Sequence, residues 1–312
     1  MQQQGAIVYA LMRLASAAPT LLLVIVLAFL MMRAAPGGPF DDERAPPPET
    51  AANIERAYDL DAPLKQQLSS YILGVLRGDL GPSYRYPDYT VSELIAGALP
   101  VSAQIGALAL LVAVLLGSAF GIWAAVRHNT VTDRALTGLA MTGISVPVFV
   151  IAPLLILVFA VQLDWLPASW AGSAGVEGLL LPVAALSLPQ IAYVARLMRA
   201  SMIEVLSSDY IRTARAQGLS TATIVTAHAL RPALLPLLSY LGPAIAAVLT
   251  GSVVVEQIFG VPGLGQLFVR AALNRDYPLV LGIVILYAVL VIALNLIVDI
   301  LYGFVDPRIR RR

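Results

Sequence analysis

The chain reads as an all-α protein that threads a membrane six times. Its 312 residues are 59% hydrophobic and only 12% charged, with a mean hydropathy of +0.81, whereas a soluble domain carries about a quarter charged residues. Long uncharged intervals lie between Arg13 and Arg33, Glu93 and Arg127, Arg134 and Asp164, Glu177 and Arg196, Arg231 and Glu256, and Asp276 and Asp299. Each approaches or exceeds the roughly 20 apolar residues that a helix needs to cross a hydrocarbon core. The charges are also sorted. Arginines crowd the links between intervals two and three (Arg127, Arg134) and four and five (Arg196, Arg199, Arg212, Arg215, Arg231), and the end of the chain (Arg308, Arg310, Arg311, Arg312). The link between the third and fourth intervals has Asp164 and Glu177 and no basic residue. Basic short loops face the cytoplasm, which predicts both termini inside and the acidic links outside.

Four regions follow. Residues 1–35 are a tail and first span, read as an uncleaved anchor because the apolar run exceeds a signal-peptide core. Residues 36–93 are an external segment with ten acidic and five basic residues. It opens on a loose proline-rich stretch, A-P-P-P-E-T, followed by short helices at I-E-R-A-Y-D-L and Pro63–Leu76. It returns to the membrane through Tyr84, Tyr86 and Tyr89, read as interface anchors. Residues 94–305 hold the other five spans, with an arginine-rich loop at about 196–231, and 306–312 are a basic tail. Prolines mark spans three (Pro147, Pro153), four (Pro182, Pro189) and five (Pro236, Pro243) as kinked. Gly117 and Gly121, four apart, form a close-packing face.

Much chemistry is excluded. There is no cysteine, hence no disulfide and no thiolate site, and His128 and His228 are too far apart in sequence to suggest a metal centre. The single lysine, Lys65, follows no glycine-rich loop, so no nucleotide-binding P-loop is present. The net charge of +1 gives no nucleic-acid footprint. The span interiors hold no carboxylate, which argues against an ion-coupled carrier, and no H-E-x-x-H or charged pair supports a membrane-embedded enzyme. Uncharged polar residues remain. Ser187, Gln190, Tyr240 and Ser252 are candidates for lining a water-filled path, with interhelical hydrogen bonding as the plainer role.

The chain is organised around Ser208–Pro232, S-D-Y-I-R-T-A-R-A-Q-G-L-S-T-A-T-I-V-T-A-H-A-L-R-P. Asp209 is placed to cap a short helix on which Arg212 and Arg215 share a face. Gly218 ends that helix, and Ser220 caps a second one reaching Arg231, with Pro232 in the first turn of the next span. Topology alone explains the arginines. It does not explain a bent pair of helices carrying the small residues Ala214, Gly218 and Ser220, which suits docking of another protein. His228 reads as a polar packing residue. A second glycine cluster, Gly260-Val-Pro262-Gly263-Leu-Gly265, lacks the lysine of a phosphate loop and reads as a tight re-entrant or hairpin turn between spans five and six. Glu256 and Asp276 bracket it and are expected to pair locally with Arg270 or Arg275, the alternative being contact with an external partner protein.

The run D-Y-I-R-T-A-R-A-Q-G-L-S-…-H-A-L-R-P-A-L-L-P (Asp209–Pro236) resembles the cytoplasmic loop of ABC-importer permeases of the dipeptide/oligopeptide/nickel branch. The general pattern is E-A-A, three residues, a glycine, nine residues, then I-x-L-P. Here Arg212-Thr213-Ala214 stands for E-A-A, and Gly218 is the glycine. Ser252–Leu267 with N-R-D-Y-P, and the terminal D-P-R-I-R, agree with the same branch, so the likeness covers most of the C-terminal third. The resemblance implies a type I importer permease fold in a bacterial inner membrane. It implies that Asp209, Arg212, Thr213, Ala214, Arg215, Gly218, Leu219 and Ser220 couple to separate ATPase subunits. Glu256, Gly260, Pro262, Gly263 and Gly265 would then lie at the external mouth. The implied partners are a second, related permease chain, two ATPases carrying ATP and Mg, and an external substrate-binding protein. This chain itself would hold no cofactor and perform no catalysis. The substrate stays open among dipeptides, oligopeptides, nickel chelates, glutathione, some sugars and other small solutes.

Overall fold

A computed structural model describes residues 2–34, 62–170 and 175–305. The proline-rich stretch, the helix expected at I-E-R-A-Y-D-L and the terminal D-P-R-I-R lie outside these residues. Twelve α-helical pieces follow in chain order: α1 Gln2–Ala34, α2 Leu64–Leu76, α3 Val91–Val126, α4 Val131–Ser145, α5 Val148–Leu155, α6 Glu177–Leu206, α7 Asp209–Ala216, α8 Thr221–Thr223, α9 Leu230–Ala233, α10 Leu235–Phe259, α11 Leu264–Leu273 and α12 Tyr277–Val305. Two π-helical segments, Ile156–Gln162 after α5 and Ile224–Ala229 between α8 and α9, continue the winding. Among the described residues five helices are long and apolar enough to cross a membrane, and α4 with the Val148–Gln162 helix after it passes the same test as a pair bent by 104°, the form of a broken span or a re-entrant loop.

That bend corrects the picture of a single kinked third span. Val146 is extended (φ −88°, ψ 120°), as a residue before proline prefers, and Pro147 caps α5 with no N–H to continue the ladder.

The centre of the bundle is α6, with α3 packed along its length. Gly117 and Gly121 make that contact possible. A Cβ on Gly117 would stand 2.6 Å from the Val194 Cβ, and one on Gly121 would stand 2.5 Å from the Ala195 carbonyl. On another side a Cβ on Gly143 of α4 would stand 3.0 Å from the Ala192 Cβ. Small residues let helix backbones approach where no hydrophobic effect drives them together. Three apolar clusters stack along the bundle: Val91, Leu264, Leu279 and Ile283 at one end, Ile105, Ala185, Leu186 and Val255 in the middle, and Met198, Met202, Ile211 and Ile224 at the other end.

At the first end α2, capped at Pro63, lies against α1, with the Phe29 and Tyr71 rings 6.3 Å apart. Burial holds the Tyr71 phenol well above its ordinary range. The returning tyrosines divide: Tyr89 is exposed, whereas Tyr84 meets the Tyr277 ring edge-on at 6.5 Å.

Candidate functional site

Two sites stand at opposite ends of the bundle. The first is the elbow from α7 to α9. Ser208 occupies the N-cap position with extended backbone (φ −70°, ψ 157°), and Asp209 is the first helical residue, not the cap. Its charge still favours the helix N-terminus, and it pairs with Arg212 at 3.2 Å. Both partners are largely exposed, so water screens the pair. The turn at Gly218 (φ +83°) is a Schellman closure: the Gly218 N–H donates to the Arg215 carbonyl at 3.0 Å and the Leu219 N–H to the Ala214 carbonyl at 3.3 Å. Ser220 then caps α8 by accepting the Thr223 N–H at 3.2 Å. Pro232 lies inside the short α9; the proline in the first turn of the next span is Pro236.

The elbow has two faces. Ile211 and Ala214 are buried with Ile224, Ala229 and Ala233 against Met198 and Met202 of α6, and Leu219 packs on the same cluster. Ala214 is therefore an anchor into the chain's own core, which overturns its reading as a surface for a partner's backbone. The outward face carries Arg212, Thr213, Arg215, Gly218 and Ser220. His228 is also exposed, not packed; its carbonyl accepts from the Tyr210 hydroxyl at 3.5 Å.

Beside the elbow lies a cluster that the sequence did not announce. Asp133, in the first turn of α4, is buried and receives Arg199 of α6 through two nitrogens, Nε at 2.5 Å and a terminal nitrogen at 2.8 Å. The Asn129 N–H donates to it at 2.9 Å, and the His128 Nδ1 stands 3.4 Å away. Arg199 thus does more than hold topology: it ties α4 to α6. The one local signal was T-x-x-D at Thr130–Asp133, a helix-capping spacing.

The second site is the turn after α10. Gly260 (φ +65°) ends α10 and Gly263 precedes α11, so the link is a turn, a ten-residue apolar helix and a second turn, longer than a hairpin. Glu256 lies inside α10, fully buried, which corrects the reading of an acid-free span. It does not pair with Arg270 or Arg275. Its oxygens accept the Ser102 hydroxyl at 2.6 Å, the Gly265 N–H at 2.6 Å and the Gln266 N–H at 3.3 Å, while Ser102 accepts the Leu264 N–H at 2.8 Å. A carboxylate from one helix therefore caps another, satisfying amides that a helix start leaves without partners. Side chains on Gly263 or Gly265 would drive into that carboxylate and the Val253 backbone. Asp276, also fully buried, accepts the Ser83 hydroxyl, the Tyr84 N–H at 3.1 Å and the Leu279 N–H at 3.4 Å.

Of the four candidate path residues, the structure brings two together. The Tyr240 hydroxyl donates to Gln190 Oε1 at 2.9 Å. Ser187 and Ser252 donate to carbonyls of their own helices, Ala184 and Leu249. Among the described residues no group of histidine, aspartate and glutamate is arranged to hold a metal ion.

A multi-pass helical bundle bearing a helix–glycine–helix elbow is the architecture of a transport permease, and comparison with known proteins agrees. The chain belongs to the family of binding-protein-dependent transport system inner membrane components, whose pattern it matches over residues 117–311. It is 53% identical over 263 residues to the oligopeptide transport system permease protein OppB of Salmonella typhimurium, covering 84% of this chain and 86% of the relative. The OppB of Escherichia coli K12 is 52% identical over the same coverage. The dipeptide transport system permease protein DppB of Bacillus subtilis is 44% identical over 259 residues, 83% of each chain. An ion-coupled carrier is not favoured: Glu256, the carboxylate buried in α10, is occupied as a helix cap.

Proposed function

We propose that this chain is the permease subunit of an ATP-driven importer of oligopeptides or dipeptides, coupled through the outward face of its elbow to separate ATPase subunits. The relatives' names support the peptide class. The observation that carries the coupling is the division of α7: its inner face is fused to α6 through Ile211 and Ala214, while Arg212, Thr213 and Arg215 are free to meet another surface. A push on that face therefore reaches a 30-residue helix running through the bundle. The single lysine stands outside any phosphate loop, so ATP and Mg belong to the partners. A second permease chain completes the pathway, and an external binding protein delivers peptide at the Glu256–Gly265 end. The elbow and both termini face the cytoplasm in this reading, which the arginine-rich short links support.

Because the chain lacks cysteine, single cysteines test the coupling directly. Thr213→Cys and Arg215→Cys cross-link to a cysteine-bearing ATPase in the assembled importer, and Ala214→Cys does not. Silence at both outward positions, with assembly intact, overturns the proposal. Gly218→Trp leaves membrane insertion unchanged and uncouples ATP hydrolysis from uptake; normal uptake contradicts it.

A further inference from the structure

The exposed faces of the spans have two chemistries. The outer face of α3 presents Leu111, Leu115, Phe120 and Trp123, and α5 continues with Phe149 and Leu154, all large and apolar as lipid requires. A different face runs along α6 and α10. On α6 the positions Pro189, Tyr193, Arg196 and Ala200 fall on one stripe, and on α10 Pro236, Tyr240, Pro243 and Ala247 fall on another. With α3 behind α6, and with α4 and α10 packed on its two sides, the stripe bearing Tyr193 and Arg196 is left uncovered.

The two stripes are joined. Tyr193 stacks on Tyr240 with ring centroids 5.9 Å apart, Tyr240 is fixed by its hydrogen bond to Gln190 at 2.9 Å, and the Arg196 guanidinium lies 5.4 Å over the Tyr193 ring. Three residues on, Arg199 is consumed by Asp133. Arg196 is not: among the described residues no carboxylate pairs with it, and the ring beneath leaves the guanidinium edge open. It stands where the uncharged part of the fourth span ends, ten residues before the end of α6 at Leu206. An unpaired guanidinium at that border, on a face that no other helix of this chain covers, is open to an anion arriving along a water-filled route.

We propose that Arg196, seated on the Tyr193–Tyr240 pair, is a station on the wall of the translocation pathway that receives the terminal carboxylate of the passing peptide. The inference rests on the peptide-importer reading above. Its chemistry fits a mixed cargo. The α-carboxylate is common to linear peptides of any sequence, and a guanidinium edge binds it through two parallel hydrogen bonds. The stacked tyrosines offer a flat surface that tolerates varied side chains. An exposed single arginine binds weakly enough to release what it catches.

The test uses the complete importer, with its ATPases and binding protein, in proteoliposomes. Arg196→Cys lowers tripeptide uptake about tenfold, the scale of one lost charge-assisted contact, while assembly and binding-protein-stimulated ATP hydrolysis persist. A cationic aminoethyl thiosulfonate adduct restores uptake; the neutral methyl and anionic sulfonatoethyl adducts do not. Excess tripeptide slows the modification under turnover. Uptake unchanged in Arg196→Cys, or equal recovery with all three adducts, overturns the station. A loss that appears only in vesicles with anionic lipid and vanishes in purely zwitterionic ones overturns it too, assigning Arg196 to a headgroup. Failure of the ATPase to co-purify would instead overturn the importer reading itself.

Discussion

Removing either partner of the Asp133–Arg199 bridge should cost more than a surface ion pair ever does. Asp133 keeps 3% side-chain exposure and Arg199 keeps 26%. Breaking a fully buried pair from one side costs about 3–5 kcal/mol, because the survivor stays desolvated and alone. Arg199 is a quarter exposed, so water recovers part of that, and Asp133→Ala is expected to cost about 2–3 kcal/mol. Arg199→Ala leaves Asp133 with the Asn129 amide and the Thr137 hydroxyl, and its cost falls in the same range. The decisive quantity is the double variant. With both charges gone nothing is stranded, so its cost stays close to that of one single change and the coupling energy is at least about 1.5 kcal/mol. Unfolding by SDS titration in mixed micelles measures all three variants on one scale. Additivity within about 0.5 kcal/mol would show that the two side chains do not work as a pair. Arg199→Lys is a further check: an ammonium cannot reproduce the two-nitrogen contact and should recover only part of the loss.

Other perturbations have equally definite outcomes. Gly121→Leu forces a side chain into the Ala195 carbonyl and Met198 and should destabilise the α3–α6 pair by about 3 kcal/mol or more; Gly138→Leu, where nothing stands within 4 Å, is the tolerated control in the same micelle assay. Ser102→Ala strands one Glu256 oxygen and the Leu264 N–H together, at about 2 kcal/mol or more; Ser102→Thr, which keeps the hydroxyl, should lose less. Gly218→Ala meets open space but must hold φ +83°, so it costs about 1–2 kcal/mol through the backbone alone, read as faster proteolysis at the elbow.

What could be read from the sequence was whatever depends on spacing along one helix. Gly117 and Gly121 announced a close seam, and Gly218 with Ser220 announced the elbow, because each is a local geometric demand. Pro147 announced a disturbance but not a 104° turn, which depends on where α5 finds its packing. The smallness of Ala214 alone suggests a partner's approach, yet Ile211, three residues earlier, marks the inward side, and the small side chain serves packing on α6. Glu256 was misplaced for a related reason. In sequence a carboxylate ends an apolar run, yet here the N–H groups of Gly265 and Gln266 stand in for water and the span continues past it. Asp133 and Arg199 are separated by 66 positions, and no rule of local spacing reaches that far.

The seams of α6 differ in kind, and that difference locates where the bundle can give. Toward α3, helix backbone lies against helix backbone at Gly117 and Gly121, a fit that sliding would destroy. Toward α4, a part-buried ion pair adds to the close approach at Gly143. Toward α10, among the described residues, Tyr240 supplies a ring stack on Tyr193 and a hydrogen bond to Gln190, both made by side chains. Side-chain contacts re-form after a shift of one or two ångströms, as helices do when they shear past one another. If the elbow drives α6, the slip falls at Tyr240. Tyr240→Phe keeps the stack but strands Gln190 Oε1, at about 1–3 kcal/mol. It should alter uptake rate without weakening the α3–α6 seam, so that disulfide cross-linking between cysteines introduced on α3 and α6 is unchanged while cross-linking between α6 and α10 changes during ATP turnover. Equal and unchanging cross-linking at both seams during turnover would place the movement elsewhere.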